Sequence, residues 1–364
     1  MNFPWKKRKS TDRLAISWDG ETFSYVQISG SSNSGIKIIN SGVLRFRYQS
    51  MQSFAAKIKS LRLDGDEVIL QLTANQYSLL QIDAPPVPDI DLKMACRYEI
   101  KDMIEGHIDE YSIDVIRLGN ETQQWQGHVF VAAAKISLIK ELTEFCKKVG
   151  ISVGVIDIQE TAQRNLQTRY SISNELNERA VAFVNVINEN QALITISANN
   201  ELYYFRRLDI PKGFIGEEWG SGYELFNDVN NIKAQQDYSE YSTVSDEVID
   251  EIPLVGLSYE NYDGISGIPL ENDKTSKIIV EIQRSIDLWE RTWRNLPLAA
   301  RVCFCGSRSI DFAGWLSQEM NQLVSSITFG NEFDPLLALD TKDQIFCLPL
   351  VGSLLRYVNE SAKV

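Results

Sequence analysis

Two turns in this 364-residue chain carry residue types that can hold a phosphate. Asp19-Gly20-Glu21-Thr22 stands between two strand-like stretches, where backbone amides and the Thr22 hydroxyl can face an anion. Gly306-Ser307-Arg308-Ser309 stands between a strand and a helix beginning near Ile310, and a helix N-terminus attracts negative charge. Both are also ordinary turn chemistry, a hairpin Asp-Gly and a Gly-Ser helix start. Other reactive arrangements fall away. The two histidines, His107 and His128, have no Gly-x-Ser-x-Gly turn beside them, which argues against Ser-His-Asp catalysis. Walker A, Gly-x-Gly-x-x-Gly and His-Glu-x-x-His spacings are absent. Zinc sites want two Cys-x-x-Cys-like clusters, and the chain offers one Cys303-Phe304-Cys305. That pair reads as two small buried hydrophobes on one strand face, and all five cysteines as reduced thiols.

The elements that must position these turns follow from hydrophobic period. With 44% hydrophobic residues and no apolar run near the roughly 18 needed to cross a bilayer, the chain reads as globular. Residues 14–18, 22–28 and 36–46 read as strands, then comes a helix with Phe54, Ile58 and Leu61 on one face, then a strand over 68–73. Residues 181–187, 192–197 and 202–210 repeat the three strands, with a polar turn at Ala198-Asn199-Asn200. A helix over 276–294 places Ile278, Ile282, Ile286, Trp289 and Trp293 on one face, and a strand at 301–305 and a further helix follow. Duplicated order without a residue-level repeat indicates a two-lobed α/β fold.

Between the halves lies a smaller α/β module. It has a strand at 77–82, a rigid Pro85-Pro86-Val87-Pro88 connector and a helix capped by Asp89 or Asp91 that carries Leu92, Ala95, Cys96, Ile100, Met103 and Ile104. Strands at 111–118 and 129–134, a helix stopping at Gly150, a strand over 151–158 and a helix over 159–169 complete the series. The expected division is a tail over 1–13, a first lobe over 14–76 and 136–175 interrupted by a subdomain over 77–135, and a second lobe over 176–216 and 274–364. The last helix of that second lobe is expected to return to the first.

The net charge of -13 resides in residues 217–273, where fourteen acids face Lys233 alone, leaving acids and bases equal over the rest. No broad basic field remains, which argues against nucleic-acid binding. That acidic segment reads as a largely disordered insertion or a small subdomain. At the N-terminus, Phe3 and Trp5 join Lys6, Lys7, Arg8 and Lys9 in a segment suited to an anionic membrane surface.

The stretch Tyr77-Ser78-Leu79-Leu80-Gln81-Ile82-Asp83-Ala84-Pro85-Pro86-Val87-Pro88, with Ala95-Cys96-Arg97-Tyr98-Glu99-Ile100-Lys101-Asp102-Met103-Ile104, resembles MshI-type biogenesis proteins of the mannose-sensitive haemagglutinin (MSHA) pilus. So do Val131-Ala132-Ala133-Ala134-Lys135, Ile156-Asp157-Ile158-Gln159-Glu160 with Arg164-Asn165-Leu166, and Glu281-Ile282-Gln283-Arg284-Ser285-Ile286-Asp287. These are relatives of PilM, the cytoplasmic actin-like component of type IV pilus systems. The resemblance implies an actin-like (ribonuclease H-like) two-lobed fold with an inserted α/β subdomain. It implies a cytoplasmic scaffold peripheral to the inner membrane, holding the N-terminal segment of a bitopic PilN-like partner in a groove beside that subdomain. Met94, Tyr98 and Met103 are candidate anchors for the segment, although core packing is the commoner role for such side chains.

The same fold takes ATP with magnesium, and here the chain departs from the pattern. An Asp-Ile-Gly-Ser-Ser-Ser-x-Lys-like first strand and turn is replaced by Ser17-Trp18-Asp19-Gly20-Glu21-Thr22-Phe23-Ser24, without the leading aspartate and the lysine. Asn185-Val186-Ile187-Asn188 replaces an Asn/Asp-x-Gly strand, and Cys305-Gly306-Ser307 a triple-glycine turn. A degenerate nucleotide site of Asp19, Gly20, Thr22, Asn185, Gly306 and Ser307 is the expectation. The expected role is a non-catalytic scaffold, the alternative an ATP-binding switch or weak ATPase on the same fold. A secretion-system protein of the GspL type shares the fold but normally continues into a transmembrane helix, and the sequence shows no apolar run of that kind, so this class is the less expected one.

Overall fold

The computed structural model describes residues 12–29, 37–47, 50–117, 127–176, 179–216, 273–327 and 334–357. The basic aromatic tail with Phe3, Trp5, Lys6, Lys7, Arg8 and Lys9, and the acidic segment through residue 272, lie outside them.

The first sheet begins with a meander of β1 (Arg13–Trp18), β2 (Thr22–Ser29) and β3 (Lys37–Arg45). After α1 (Met51–Ser60), β4 (Glu67–Gln71) returns parallel to β1, and β8 (Val155–Asp157) pairs parallel to β4, in the order β3-β2-β1-β4-β8. The second sheet repeats this plan. Here β9 (Ala180–Asn188), β10 (Gln191–Ala198) and β11 (Glu201–Asp209) form the meander. After helix α5 (Asp273–Thr292), β12 (Leu298–Phe304) and β13 (Ser325–Ser326) pair parallel in the order β11-β10-β9-β12-β13. The same order and strand sense in both sheets is the duplicated topology of the actin-like fold. In both central strands the apolar run is nearly unbroken, as needed where both faces are covered.

Helix α4 (Gln159–Ser173) and helix α8 (Thr341–Leu354), the latter following α6 (Ser309–Met320) and the short α7 (Asp334–Leu337), cross between the sheets, and α8 lies against β1, β2 and β9. One core runs through both lobes, joining Ala15, Val26 and Ile69 to Phe183, Ile194 and the α8 residues Ile345, Leu348 and Val351. Helix α8 is apolar nearly all round because it has protein on every side. Its Gly352 lets α4 approach, since a Cβ there would lie 2.7 Å from the carbonyl carbon of Ala162. Helix α5 buries Ile278, Ile282, Ile286 and Trp289, the face read from the sequence, with Trp293 stacked on Trp289 at 5.3 Å.

Inserted after β4 is a three-stranded sheet, β5 (Ser78–Asp83), β7 (His128–Lys135) and β6 (Tyr111–Arg117), in the order β5-β7-β6, with α2 (Asp89–Glu99) on one face. Its other face, with Phe130 and Ala134, packs into the first lobe near α3 (Ile136–Lys148). Two local readings need correction. Pro88 holds the N-cap position of α2 and no side chain caps it, so Asp89 and Asp91 act on the helix dipole from the first turn. The strand expected over 151–158 is confined to Val155–Asp157, because Gly150 (φ 87°) and the Ile151 amide, donating to the Cys146 carbonyl, are used in ending α3.

All five cysteines are free and buried. Burial pushes the thiols of Cys146 and Cys305 up to about 12 and raises those of Cys303 and Cys347. Ellman's reagent at pH 8 is expected to find fewer than one reactive thiol per native chain and five after denaturation. A native titre of two or more would contradict this packing.

Candidate functional site

Two cavities flank the first turn of α4. The inter-lobe cleft, about 500 Å³, is lined by Ser17, Asp19, Glu21 and Thr22 of the first hairpin, by Gln71 and Gln159, by residues 187–191 of the second-lobe hairpin, and by Phe346 and Pro349 of α8. The groove, about 350 Å³, lies between the first lobe and the inserted sheet. Leu72, Ile113, Ile116, Ala132, Ile139 and Ile156 form its apolar wall, and Lys93, Asp114, Asp157, Arg164 and Arg356 add charge.

The wall between the cavities is a buried ion pair. Glu160, with no exposed surface, accepts from Arg207 of β11 at 2.7 Å and from the Tyr77 hydroxyl. The Arg207 guanidinium stacks 4.7 Å over the Tyr77 ring and also donates to the Ala74 carbonyl at 2.7 Å. Burial, with Glu160 alongside, raises the Tyr77 phenol well above its ordinary value, so it stays protonated and donating. Tyr77 lines the groove while Ala74 and Gln159 line the cleft, so this cluster joins both cavities and both lobes.

The expected nucleotide residues do not converge on one site. Asp19 and Thr22 line the cleft, with Gly20 (φ 99°) at the turn between them. The two amides that could face a phosphate are already taken, because Asp19 Oδ1 accepts from the Glu21 N–H at 2.8 Å and the Thr22 N–H at 2.7 Å. The matching second-lobe turn does the same, with Asn188 Oδ1 accepting from the Asn190 N–H at 2.8 Å. The turns bring carboxylates to the cleft wall, Asp19 and Glu21 from the first and Glu189 from the second. Arg45 and Arg47 line the cleft, Arg45 paired with Asp343 at 2.7 Å, and nearby Lys342 pairs with Glu189 at 2.9 Å.

Asn185 does not line the cleft. It is 1% exposed and donates to Gln163 Oε1 at 3.3 Å. Gly306 and Ser307 are also outside the cleft lining and pack on the start of α8. A Cβ on Gly306 would sit 2.7 Å from the Thr341 carbonyl oxygen, and Ser307 Oγ hydrogen-bonds Thr341 Oγ1. The helix that follows, α6 (Ser309–Met320), turns Ser309 Oγ back to the Gly306 carbonyl at 2.5 Å. Turn amides bonded to their own side chains are poorly placed to cradle a triphosphate.

Met94, Tyr98 and Met103 are 60%, 69% and 53% exposed, so the expectation of core packing is corrected. Leu92, Cys96 and Ile100 form the buried face of α2, and positions 94 and 98, two residues out of step, point away from it. None of the three lines the groove. The residues that sequence reasoning left without a role are Tyr77, Asp157, Glu160 and Arg207. Tyr77 and residues 156–160 fall inside the blocks that carried the resemblance, whereas Arg207 has no local signal on its strand.

A family model described as type IV pilus assembly protein PilM matches residues 60–245, more than half of the chain. The chain belongs to the PilM family. Among solved structures it is similar to a PilM-PilN type IV pilus biogenesis complex, with TM-score 0.62 and 14% identity over 95% of this chain and 98% of that one. It also matches the cytoplasmic domain of EpsL, an inner-membrane component of the type II secretion system of Vibrio cholerae, with TM-score 0.39 and 14% identity over 63% and 79%. A Bacteroides thetaiotaomicron protein with an actin-like ATPase fold matches with TM-score 0.45 and 8% identity over 93% and 100%. No curated protein matches. Among the described residues of this PilM-family chain, no helix is long and apolar enough to cross a membrane.

Proposed function

We propose that this PilM-family protein is a non-catalytic scaffold of a type IV pilus assembly platform. Its groove holds the cytoplasmic segment of a bitopic, PilN-like inner-membrane protein. The observation that carries the reading is the groove itself, lined by both apolar and charged side chains alongside the outer strand β6 of the three-stranded sheet. An extended peptide finds side-chain pockets there and a strand edge to pair with. Likeness to a PilM-PilN complex supports a partner of this kind. The sequence blocks that resemble MSHA-pilus proteins favour that pilus type. Residence at the inner membrane would come from the partner, with the basic aromatic N-terminus adding contact to anionic lipid.

The cleft supports the absence of ATP turnover in this proposal, since its turn amides are internally bonded. A pull-down from membrane extract with the tagged protein, with and without ATP and magnesium, tests both halves. Recovery of a small bitopic pilus protein in equal amount under both conditions is expected. Recovery only with ATP would replace the scaffold by the switch, and recovery of no pilus component would remove the reading.

A further inference from the structure

Helix α2 turns an apolar stripe to solvent. Ile90, Met94 and Tyr98, spaced four residues apart, lie along one line of the helix opposite the buried Leu92, Cys96 and Ile100, and are 89%, 60% and 69% exposed. Three large apolar side chains at this spacing form a seam, unlike the singly scattered apolar residues of an ordinary surface. Charge of opposite sign borders the seam on its two sides. At about 100° per residue, Asp91 and Glu99 fall on one side, Lys93 and Arg97 on the other. Arg97 is fixed in place by Asp109 and by the Ile108 carbonyl, each at 2.8 Å.

These borders select what covers the seam. An anionic lipid surface is disfavoured, because residues 89–105 carry five acids against three bases. A second α2 running antiparallel would set Asp91 and Glu99 against the same acids of its mate, and bases against bases. A second α2 running parallel, about a two-fold axis along the helices, sets the acidic side of each copy against the basic side of the other. We propose that α2 is a self-association surface, on which a second copy of this chain packs parallel with Ile90, Met94 and Tyr98 of both copies in the seam. One helix face is smaller than the roughly 800 Å² per partner of a standard interface, so the dimer is weak and reversible. None of the three seam residues lines the groove, so this proposal fails or stands separately from the groove reading.

Sedimentation velocity of the full chain is expected to show a dimer forming as concentration rises to about 100 µM. Met94→Asp puts a charge in the middle of the seam, and is expected to weaken association at least about tenfold with the thermal midpoint little changed, since the site is exposed. Orientation is read by crosslinking. The five native thiols are buried, so a cysteine added on the seam is the one that reacts with a short bis-maleimide. Ile90→Cys and Tyr98→Cys are each expected to crosslink to themselves, with little mixed product when the two variants are combined. Crosslinks confined to the mixture would mean antiparallel packing and overturn the proposed arrangement. A wild type that stays monomeric at about 100 µM would overturn the proposal and leave the seam to a different protein. A dimer that Met94→Asp leaves intact would overturn it as well, and place self-association on another face.

Discussion

Replacing Glu160 by alanine is expected to destabilise the chain by about 3–5 kcal/mol, the usual result of removing one partner of a buried ion pair. The loss has three parts. Arg207 keeps the Ala74 carbonyl and the Tyr77 ring but loses its counter-charge, Tyr77 loses the acceptor of its hydroxyl, and the first turn of α4 loses an anion at its positive end. Arg207 retains 23% of its side-chain surface in solvent, which places the value toward the lower end of that range. Adding Arg207→Met to Glu160→Ala is expected to recover part of the loss, because an unpaired guanidinium is then no longer held there. Guanidinium unfolding of the two single variants and the double variant measures this coupling. The cluster is also expected to resist pH change across the neutral range. The folded Tyr77 phenol is raised above its usual value of 10.0, so its contribution is complete below about pH 10 and is lost only as pH climbs through the raised value.

The second large effect is expected at Gly352. Helix propensity alone favours Gly352→Ala by about 1 kcal/mol. Packing reverses the sign, because the added Cβ would lie 2.7 Å from the Ala162 carbonyl carbon and 3.1 Å from its Cβ, and part of the obstacle is backbone. Overpacking of this kind costs about 1–3 kcal/mol, and Gly352→Val is expected to exceed that range. The Gly352 carbonyl also accepts from Asn165 Nδ2 at 3.0 Å, so separating the helices strains a buried hydrogen bond. Adding Ala162→Gly is expected to rescue little, since it removes the side chain and leaves the peptide unit. Urea unfolding of the series is the check, and a stabilised Gly352→Ala would show that α4 and α8 do not meet as described.

The fold was legible where local signals agreed with each other. The hairpins at Asp19-Gly20 and Asn199-Asn200 were marked by residues that tolerate positive φ, and Asn199 (φ 51°) and Asn200 (φ 63°) adopt it. The face of α5 was marked by its period, and the match of the two sheets by strand order. The site was less legible because its decisive contacts are long-range or depend on rotamers. Tyr77, Glu160 and Arg207 are far apart in sequence and meet only because α4 enters between the lobes. That the Asp19 turn bonds its own amides depends on where one carboxylate points. The exposure of Met94 and Tyr98 was present in their offset from Leu92 and Cys96, but their apolar character suggested the core.

The groove scaffold is tested most directly by a photo-crosslinking residue placed in turn at Ser112, on the groove, and at Thr22, in the cleft, in cells carrying the pilus. The expected product at Ser112 is a covalent adduct with a small bitopic PilN-like protein, formed equally with and without ATP and magnesium in permeabilised cells, and no such adduct at Thr22. An adduct at Thr22 with none at Ser112, or one at Ser112 that requires ATP, would contradict the account.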